Sequence, residues 1–504
     1  MEPLFEIGLQ RPAKGSRVSA QTLYEQLKAA IVGGRLKAGA RLPATRGAGR
    51  FFGVSRHTAS EVYERLLNDG FVVARHGSGT YVAERASVAK PPRKWTPRKT
   101  SAPDHRLNEF WLRADTTAAI GFWHGSRDKT PAVDSGRARH VDFRPALVDS
   151  RLFPFDVFRR VLTAKLRGLE QKPASLRSAQ GNQGNYSLRE AITKHIAATR
   201  AVACEPEHVL VTAGAQQAFD LLARVLVTRE RSVVAVEDPG YPPLRVAFAA
   251  AGAKIVPVEV DAEGLVVDRL PRNARIICVT PSHQFPLGTS MSPARRRQLL
   301  DFARQHDAVI IEDDYDGEFR YDGSPLEALR TSDVADSVFY IGTFSKCMLP
   351  ALRLGYVIAP EWSLSTLVAA KNCLDWHCPL PMQMGVAGFI SHGHLGRHVR
   401  KMRKLYQQRR DLLLTALRND FAAWLEPIPS FYGMHVAATV REAIDLDAVA
   451  DALSRHDIKI HTLDRYYLGE RTRNGLIFGY GAAGPAEIRS GLSALSRALP
   501  RRGI

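Results

Sequence analysis

The stretch Val338-Phe339-Tyr340-Ile341-Gly342-Thr343-Phe344-Ser345-Lys346 opens as a buried apolar strand and runs into small hydroxyl residues and a lysine. A second apolar run, Ala308-Val309-Ile310-Ile311, leads into Glu312-Asp313-Asp314-Tyr315, and Arg353 follows Lys346 in Leu349-Pro350-Ala351-Leu352-Arg353-Leu354-Gly355. Further runs of strand length are Val209–Val211, Ser232–Val236, Lys254–Val258 and Arg275–Val279, with helical patterns such as Pro293–Gln305 between them. Strands buried on both faces and alternating with helices predict an α/β domain around a mostly parallel sheet. After about residue 395, a long basic helix, Arg397–Leu417, leads into a smaller α+β segment.

In such a sheet, ligands sit at the carboxyl ends of the strands, which is where Asp313 and Lys346 fall. A lone lysine near a strand end is ordinarily a surface residue, and a lone aspartate there is ordinarily a cap or turn residue. Together with Arg353 they supply an amine for a Schiff base, a carboxylate for a pyridinium nitrogen and a cation for a phosphate. Those are the requirements of pyridoxal 5′-phosphate (PLP). Burial and a neighbouring positive field help keep such an amine neutral and nucleophilic. Tyr315 can donate to the ring's phenolate oxygen. Val211-Thr212-Ala213-Gly214-Ala215-Gln216-Gln217 follows a strand and opens the helix Ala218–Val225. Its small residues let backbone N–H groups approach an anion at a helix start. Ala213, Gly214, Ala215 and Gln216, with Thr343, Ser345 and Arg353, are therefore the expected phosphate cradle. Tyr241, in Gly240-Tyr241-Pro242, is the candidate to stack on the ring; otherwise it is a packing aromatic in a turn.

The first 84 residues read differently. Leu23, Leu27, Ala30 and Ile31 recur at helical spacing up to Gly33-Gly34. Thr45 can cap a second helix and Ser55 a third, after the turn Gly53-Val54. The expected core face of the third helix is Thr58, Ala59, Val62, Tyr63, Leu66 and Leu67. Phe71–Ala74 and Thr80–Val82, joined through Gly77-Ser78-Gly79, read as a β-hairpin. Three helices and a hairpin make a winged helix-turn-helix. Its recognition helix would present Ser55, Arg56, His57, Thr58 and Ser60 to the major groove of double-stranded DNA, with Arg46 on the preceding helix and the wing tip His76-Gly77 alongside. Any one of these residues could simply be solvated; the set in this order points to DNA.

A chain of 504 residues is too long for one ordinary domain, and its formal net charge of +19 favours a polyanionic partner. We expect a winged helix-turn-helix over residues 16–84, a basic, proline-rich linker over 85–140, and the cofactor and effector domain over 141–504. Pro91–Lys99 reads as a spacer, or as an arm adding phosphate contacts, and Phe110, Trp111, Phe122 and Trp123 suggest that the later linker docks. Five scattered cysteines, Cys204, Cys278, Cys347, Cys373 and Cys378, lack metal-ligand spacing and suit a reducing cytoplasm. No metal site, signal peptide or membrane span is expected.

The C-terminal part resembles a fold-type I aminotransferase domain, and the N-terminal part resembles the winged helix of GntR-type regulators. The resemblance rests on Leu42-Pro43-Ala44-Thr45-Arg46, Gly53-Val54-Ser55-Arg56, His76–Tyr81, Asp142-Phe143-Arg144-Pro145, Gly184–Arg189, Pro281-Ser282-His283-Gln284-Phe285-Pro286-Leu287-Gly288 and Glu312–Phe319. The combination resembles the MocR subfamily of bacterial transcriptional regulators. The resemblance implies PLP bound as a Schiff base to Lys346, with His283 among the cofactor-binding residues. It also implies a head-to-tail, domain-swapped homodimer on paired half-sites. Aminotransferases of this fold hold the substrate carboxylate with an arginine where this chain has Ile477, and GABA-sensing relatives carry an arginine at the position of Pro243. Both departures favour PLP itself over an amino compound as effector, although Arg471 or Arg473 could restore a clamp. A working aminotransferase fused to a DNA-binding domain, and a scaffold without PLP, are the alternatives.

Overall fold

Leu23, Tyr24, Leu27, Ala30 and Ile31 lie on one buried stripe of the helix Ala20–Val32. They pack on Ala48 and Phe52 of Thr45–Phe52 and on Ala59, Val62, Tyr63 and Leu66 of Arg56–Asn68. Burying each larger side chain contributes about 1.5–3 kcal/mol before ordering costs. Gly34 and Gly53 have positive φ and close the first and second helices. Thr45 is the first residue of its helix; Ala44 flanks it without a side-chain cap, so the expected Thr45 cap is corrected. Ser55 does cap its helix, its Oγ accepting from the Thr58 amide at 3.0 Å. Leu67 is 42 % exposed, because it falls one step around the helix from Leu66, outside the apolar stripe. The hairpin pairs Val72–Arg75 antiparallel with Gly79–Val82, and Val72 and Val82 seal the core.

The structure, a computed structural model, describes residues 20–84, 106–123, 141–171, 181–321, 327–441 and 444–500. The chain divides into two units, Met1–Asp104 and His105–Ile504. The proline-rich run Pro91–Lys99 lies outside the described residues, as do 16–19 and 124–140. Part of the stretch expected to be an extended linker is helical: Glu109–Leu112, Ala114–Ile120 and Gly121–Trp123 are successive short helices. Phe122 is 2 % exposed, at 5.8 Å from Tyr241 and 5.2 Å from Tyr466 between ring centroids. Burial of this aromatic docks the later part of the stretch, where the apolar residues Phe110, Trp111, Phe122 and Trp123 suggest docking.

In the second unit, eight strands form one sheet in the order Val209–Thr212, Gly355–Ile358, Val338–Thr343, Val309–Asp314, Ala274–Val279, Val233–Asp238, Lys254–Asp261, Gly264–Leu265. Gly355–Ile358 runs antiparallel to both neighbours, and Gly264–Leu265 to its one neighbour; the other pairings are parallel. The short strand Gly355–Ile358 was not expected from sequence, since four residues after a tight turn give no periodic signal. The strand expected to stop at Ile311 continues through Glu312, Asp313 and Asp314. Its charges are accommodated by period-two alternation. Glu312 accepts from the Leu329 and Arg330 amides, and Asp314 pairs with buried Arg200 at 2.6 Å and accepts from Tyr340 Oη. Asp313 faces the other side of the sheet. A smaller antiparallel sheet of Leu425–Pro427, His435–Val440, Gly475–Gly479 and His461–Thr462 completes the unit, beside the helices His394–Asn419 and Pro485–Ala498. Among the described residues no helix is long and apolar enough to cross a membrane.

Ser55→Ala should cost the first unit about 1 kcal/mol through loss of the cap. Faster amide hydrogen exchange across Arg56–Asn68 in the full chain, with the large sheet unchanged, is the expected readout.

Candidate cofactor site and nucleic-acid interface

The parallel register pairs Ile341 with Asp313 and Gly342 with Asp314. That register brings the chain after Thr343 to the same sheet edge as Asp313. Thr343 caps the short helix Phe344–Cys347, its Oγ1 accepting from the Ser345 amide, and this turn aims Lys346 across the strand ends. A cavity of about 270 Å³ opens there. Of the residues expected from sequence, Ala215, Gln216, Tyr241, Asp313, Tyr315, Thr343, Ser345, Lys346 and Arg353 line it. Ala213 and Gly214 form its rim through Arg353, whose Nη2 donates to Ala213 O at 2.9 Å. Gly214 has φ +79°, and a Cβ there would lie 3.1 Å from the Arg353 guanidinium, so glycine lets the cation approach the turn. His283 is not among the lining residues: it stands behind Tyr315, its Nδ1 2.8 Å from Tyr315 Oη. Sequence reasoning missed Ala146, Leu147, Phe285 and Pro350, which complete the wall. Phe285 was visible within a quoted motif, whereas Ala146 and Leu147 reach the site through tertiary packing.

Asp313, Tyr315 and Lys346 in the cavity carry shifted pKa values, that of the tyrosine raised by burial. Desolvation lowers the Lys346 ammonium to about 8, with Arg353 adding to the effect and Asp316 and Asp313 opposing it. Its Nζ donates to Ala146 O at 2.7 Å. Burial raises Asp313 to about 8, with Asp314 and Asp316 adding to it. Asp313 Oδ1 is buried without a hydrogen-bond partner. An orphaned carboxylate oxygen at that depth is costly unless a cationic donor meets it. A pyridinium N–H is such a donor, so the residues present fit PLP. Asp313 would hold the ring nitrogen, Tyr315 the phenolic oxygen, Lys346 the aldehyde carbon, and Thr343, Ser345, Arg353 and the Ala213–Gln216 turn the phosphate. PLP supplies an electron-withdrawing ring and a carbonyl that reacts with amines. The donors of His283, Asp316 and His435 fall within 4.8 Å of one another, although no metal site was expected.

In the first unit Arg46, Ser55, Arg56, His57, His76 and Gly77 are exposed, and Thr58 and Ser60 are half-buried. The hydroxyls of Ser55 and Thr58 lie 2.8 Å apart within the cap, which gives both a structural task. Sequence reasoning left out Arg50, exposed on the second helix, and Arg75, exposed on the wing beneath which Tyr81 lies at 4.8 Å.

Residues 19–82 match the gntR family of bacterial regulatory proteins, and residues 150–471 match aminotransferase class I and II. A protein so assembled is a DNA-binding transcription regulator whose second domain is aminotransferase-like and takes PLP as cofactor. The similarity runs along nearly the whole chain in the probable rhizopine catabolism regulatory protein MocR of Rhizobium meliloti, 33% identical over 95% of this chain and 93% of that protein. The HTH-type pyridoxine biosynthesis transcriptional regulator PdxR of Corynebacterium glutamicum is 30% identical over 95% of each chain. Among solved structures, an archaeal alanine:glyoxylate aminotransferase superposes with a TM-score of 0.69 at 25% identity, covering 78% of this chain and 98% of that one. The chain belongs to the MocR subfamily of GntR-type regulators.

The raised pKa of Asp313 has a consequence for stability with a definite sign. The folded chain without PLP holds this proton more tightly than the unfolded chain, whose aspartates titrate near ~3.9. Its contribution to stability is therefore full below that range and is lost as pH rises to about 8. Asp313→Asn should remove this fall, giving a higher melting temperature than wild type at pH 8 without PLP. It should also weaken PLP binding roughly tenfold or more, through loss of a charge-assisted hydrogen bond.

Proposed function

We propose that the second unit senses a small molecule, PLP itself or an amino compound, through covalent engagement of Lys346, and that this occupancy alters operator binding by the winged helix. The observation that carries the reading is Ile477. It is fully buried in an apolar cluster with Phe122, Phe285, Tyr315 and Tyr466, and we place at this position the arginine with which aminotransferases of this fold clamp a substrate carboxylate. Arg471 and Arg473, the candidates to restore a clamp, are not among the cavity's lining residues; Arg471 lies 3.9 Å from Asp464, and Arg473 lines a separate groove with Glu426. Pro243 offers its carbonyl to Gln216 Nε2 and no cation. An amine can therefore enter without a carboxylate anchor, which favours PLP as the signal. The relative named for pyridoxine biosynthesis agrees with this choice.

A sensor must give its ligand different affinities in two conformations. The segment 106–123, which follows the DNA-binding unit in the chain, seats Phe122 against Tyr241, itself a wall of the cavity. Occupancy that moves Tyr241 would change the hold on this segment. We further propose a domain-swapped homodimer in the cytoplasm, reading paired half-sites, because a single winged helix binds weakly at physiological salt. The second reading, a working aminotransferase, draws on the lowered basicity of the Lys346 amine and predicts steady keto-acid product from some amino acid.

Lys346→Ala should abolish the visible absorbance of bound PLP and the ligand response of DNA binding, with basal operator affinity within about twofold of wild type. A normal response in that variant would sink the sensing role of Lys346. Arg46→Ala and Arg56→Ala should each weaken operator binding roughly tenfold in a gel-shift titration, the scale of one base or phosphate contact, and leave PLP bound. Unchanged affinity in both would displace the recognition helix from the role given to it.

A further inference from the structure

Tyr315 lines the cavity, and its hydroxyl also touches a buried polar cluster behind the wall. Tyr315 Oη lies 2.8 Å from His283 Nδ1. The same Nδ1 lies 3.0 Å from Asp316 Oδ2 and 3.3 Å from Oδ1. The other ring nitrogen, Nε2, is 3.3 Å from Ser430 Oγ. His283 is 1 % exposed and Asp316 is 1 % exposed. Gly433 closes over both: a Cβ there would sit 2.0 Å from His283 Cε1 and 2.5 Å from Asp316 Oδ2. These contacts are buried and tightly packed.

One ring nitrogen can make one in-plane hydrogen bond, either through its hydrogen or through its lone pair. When Asp316 is ionised, Nδ1–H donates to it. When Asp316 is protonated, its O–H donates to the Nδ1 lone pair. In both states Nδ1 is committed to Asp316 and cannot accept the hydrogen of Tyr315. We infer that Asp316, acting through His283, is a positioning residue that turns the Tyr315 hydroxyl hydrogen into the cavity, making Tyr315 an obligate donor to the phenolic oxygen of PLP. This rests on the reading that PLP occupies the cavity.

The surroundings keep His283 in the required neutral state. Burial, with Arg410 adding to it and Asp314 opposing, drives its imidazolium down to about 3. The charged and titratable groups facing it are Asp314, Tyr315 and Asp316 from the strand end and the turn after it, His435 from the small sheet with its ring centroid 4.6 Å away, and Arg410 from the basic helix. His435 offers no competing proton to Nδ1, because burial lowers its own basicity and its Nε2 is 3.0 Å from Pro286 O. Burial also raises the Tyr315 phenol, so it stays a donor across the working pH range.

A donor on the phenolic oxygen lowers that oxygen's basicity, so its loss raises the pH at which the bound chromophore gives up its proton. The test is a pH titration of the visible absorbance of the full chain loaded with PLP. Tyr315→Phe should move the midpoint up by about one pH unit, the worth of one hydrogen bond. Asp316→Ala frees Nδ1 to accept from Tyr315 and should produce the same upward shift. The double variant should shift no further than either single one. Asp316→Asn keeps a partner for Nδ1 and should stay near the wild-type midpoint. Should the alanine variant fail to fold, Asp316→Val fills the space and carries the same expectation. A wild-type midpoint in both apolar variants, while Tyr315→Phe shifts, overturns the inference, as do additive shifts in the double variant. A wild-type chain with no visible band at any PLP concentration overturns the PLP reading itself, and the inference with it.

Discussion

A carboxyl group buried with one oxygen lacking a hydrogen-bond partner organises the second unit. Asp313 sits between Glu312 and Asp314 in a strand buried on both faces, and strand alternation sends its neighbours to one side of the sheet and Asp313 to the other. The neighbours are satisfied there: Glu312 by two backbone amides and Asp314 by Arg200 and Tyr340. Asp313 keeps one oxygen orphaned at the cavity. A polar group left unpaired at that depth costs about 1–3 kcal/mol, and more when charged. The fold tolerates it because a ligand cation completes the site. The lowered basicity of Lys346 is part of the same arrangement, since one desolvated cavity raises the pKa of the carboxyl and lowers that of the ammonium.

Lys346, Asp313 and Arg353 thus bring the groups needed to attach PLP to one cavity. Nearby, Ile477 packs into an apolar cluster that includes Phe122. Phe122 comes from the segment that follows the DNA-binding unit in the chain, and the cluster supplies an apolar seat for that segment beside the cofactor wall. On the function proposed above, this seat puts the connecting segment against a residue that the ligand would move.

Behind that wall, the polar cluster of Tyr315, His283 and Asp316 shows how a side chain outside the cavity can act on what is inside it. A histidine nitrogen has one in-plane valence for hydrogen bonding, and the carboxylate uses it. The tyrosine is left with a single direction for its hydrogen. Close packing by Gly433 makes the arrangement rigid, because any larger residue there would displace the imidazole or the carboxylate.

Much of this was legible in the sequence. The winged helix, the alternation of strands and helices, Lys346, Asp313, Arg353 and the glycine turn at Gly214 each carry a local signal: helical spacing, an apolar run, a residue type at a strand end. The Ser55 cap could be read because capping is settled within four residues. Local signals failed where the decisive contact is distant in the chain. The strand Gly355–Ile358 exists because it fits antiparallel between two longer strands, and the strand through Asp314 survives its charges because Arg200 arrives from another helix. The apolar residues of segment 106–123 suggest that it docks, but its short helices and the seat of Phe122 against Tyr241 and Tyr466 depend on residues far away in the chain. His283 read as a ligand to the cofactor because its motif runs beside the site, and only packing placed it behind Tyr315. The sequence by itself determined which chemical groups are available and which strand ends carry them, since these follow from residue type and local periodicity. The tertiary structure alone decided which groups are satisfied and which face the cavity, since hydrogen-bond partners and burial come from residues far apart in the chain.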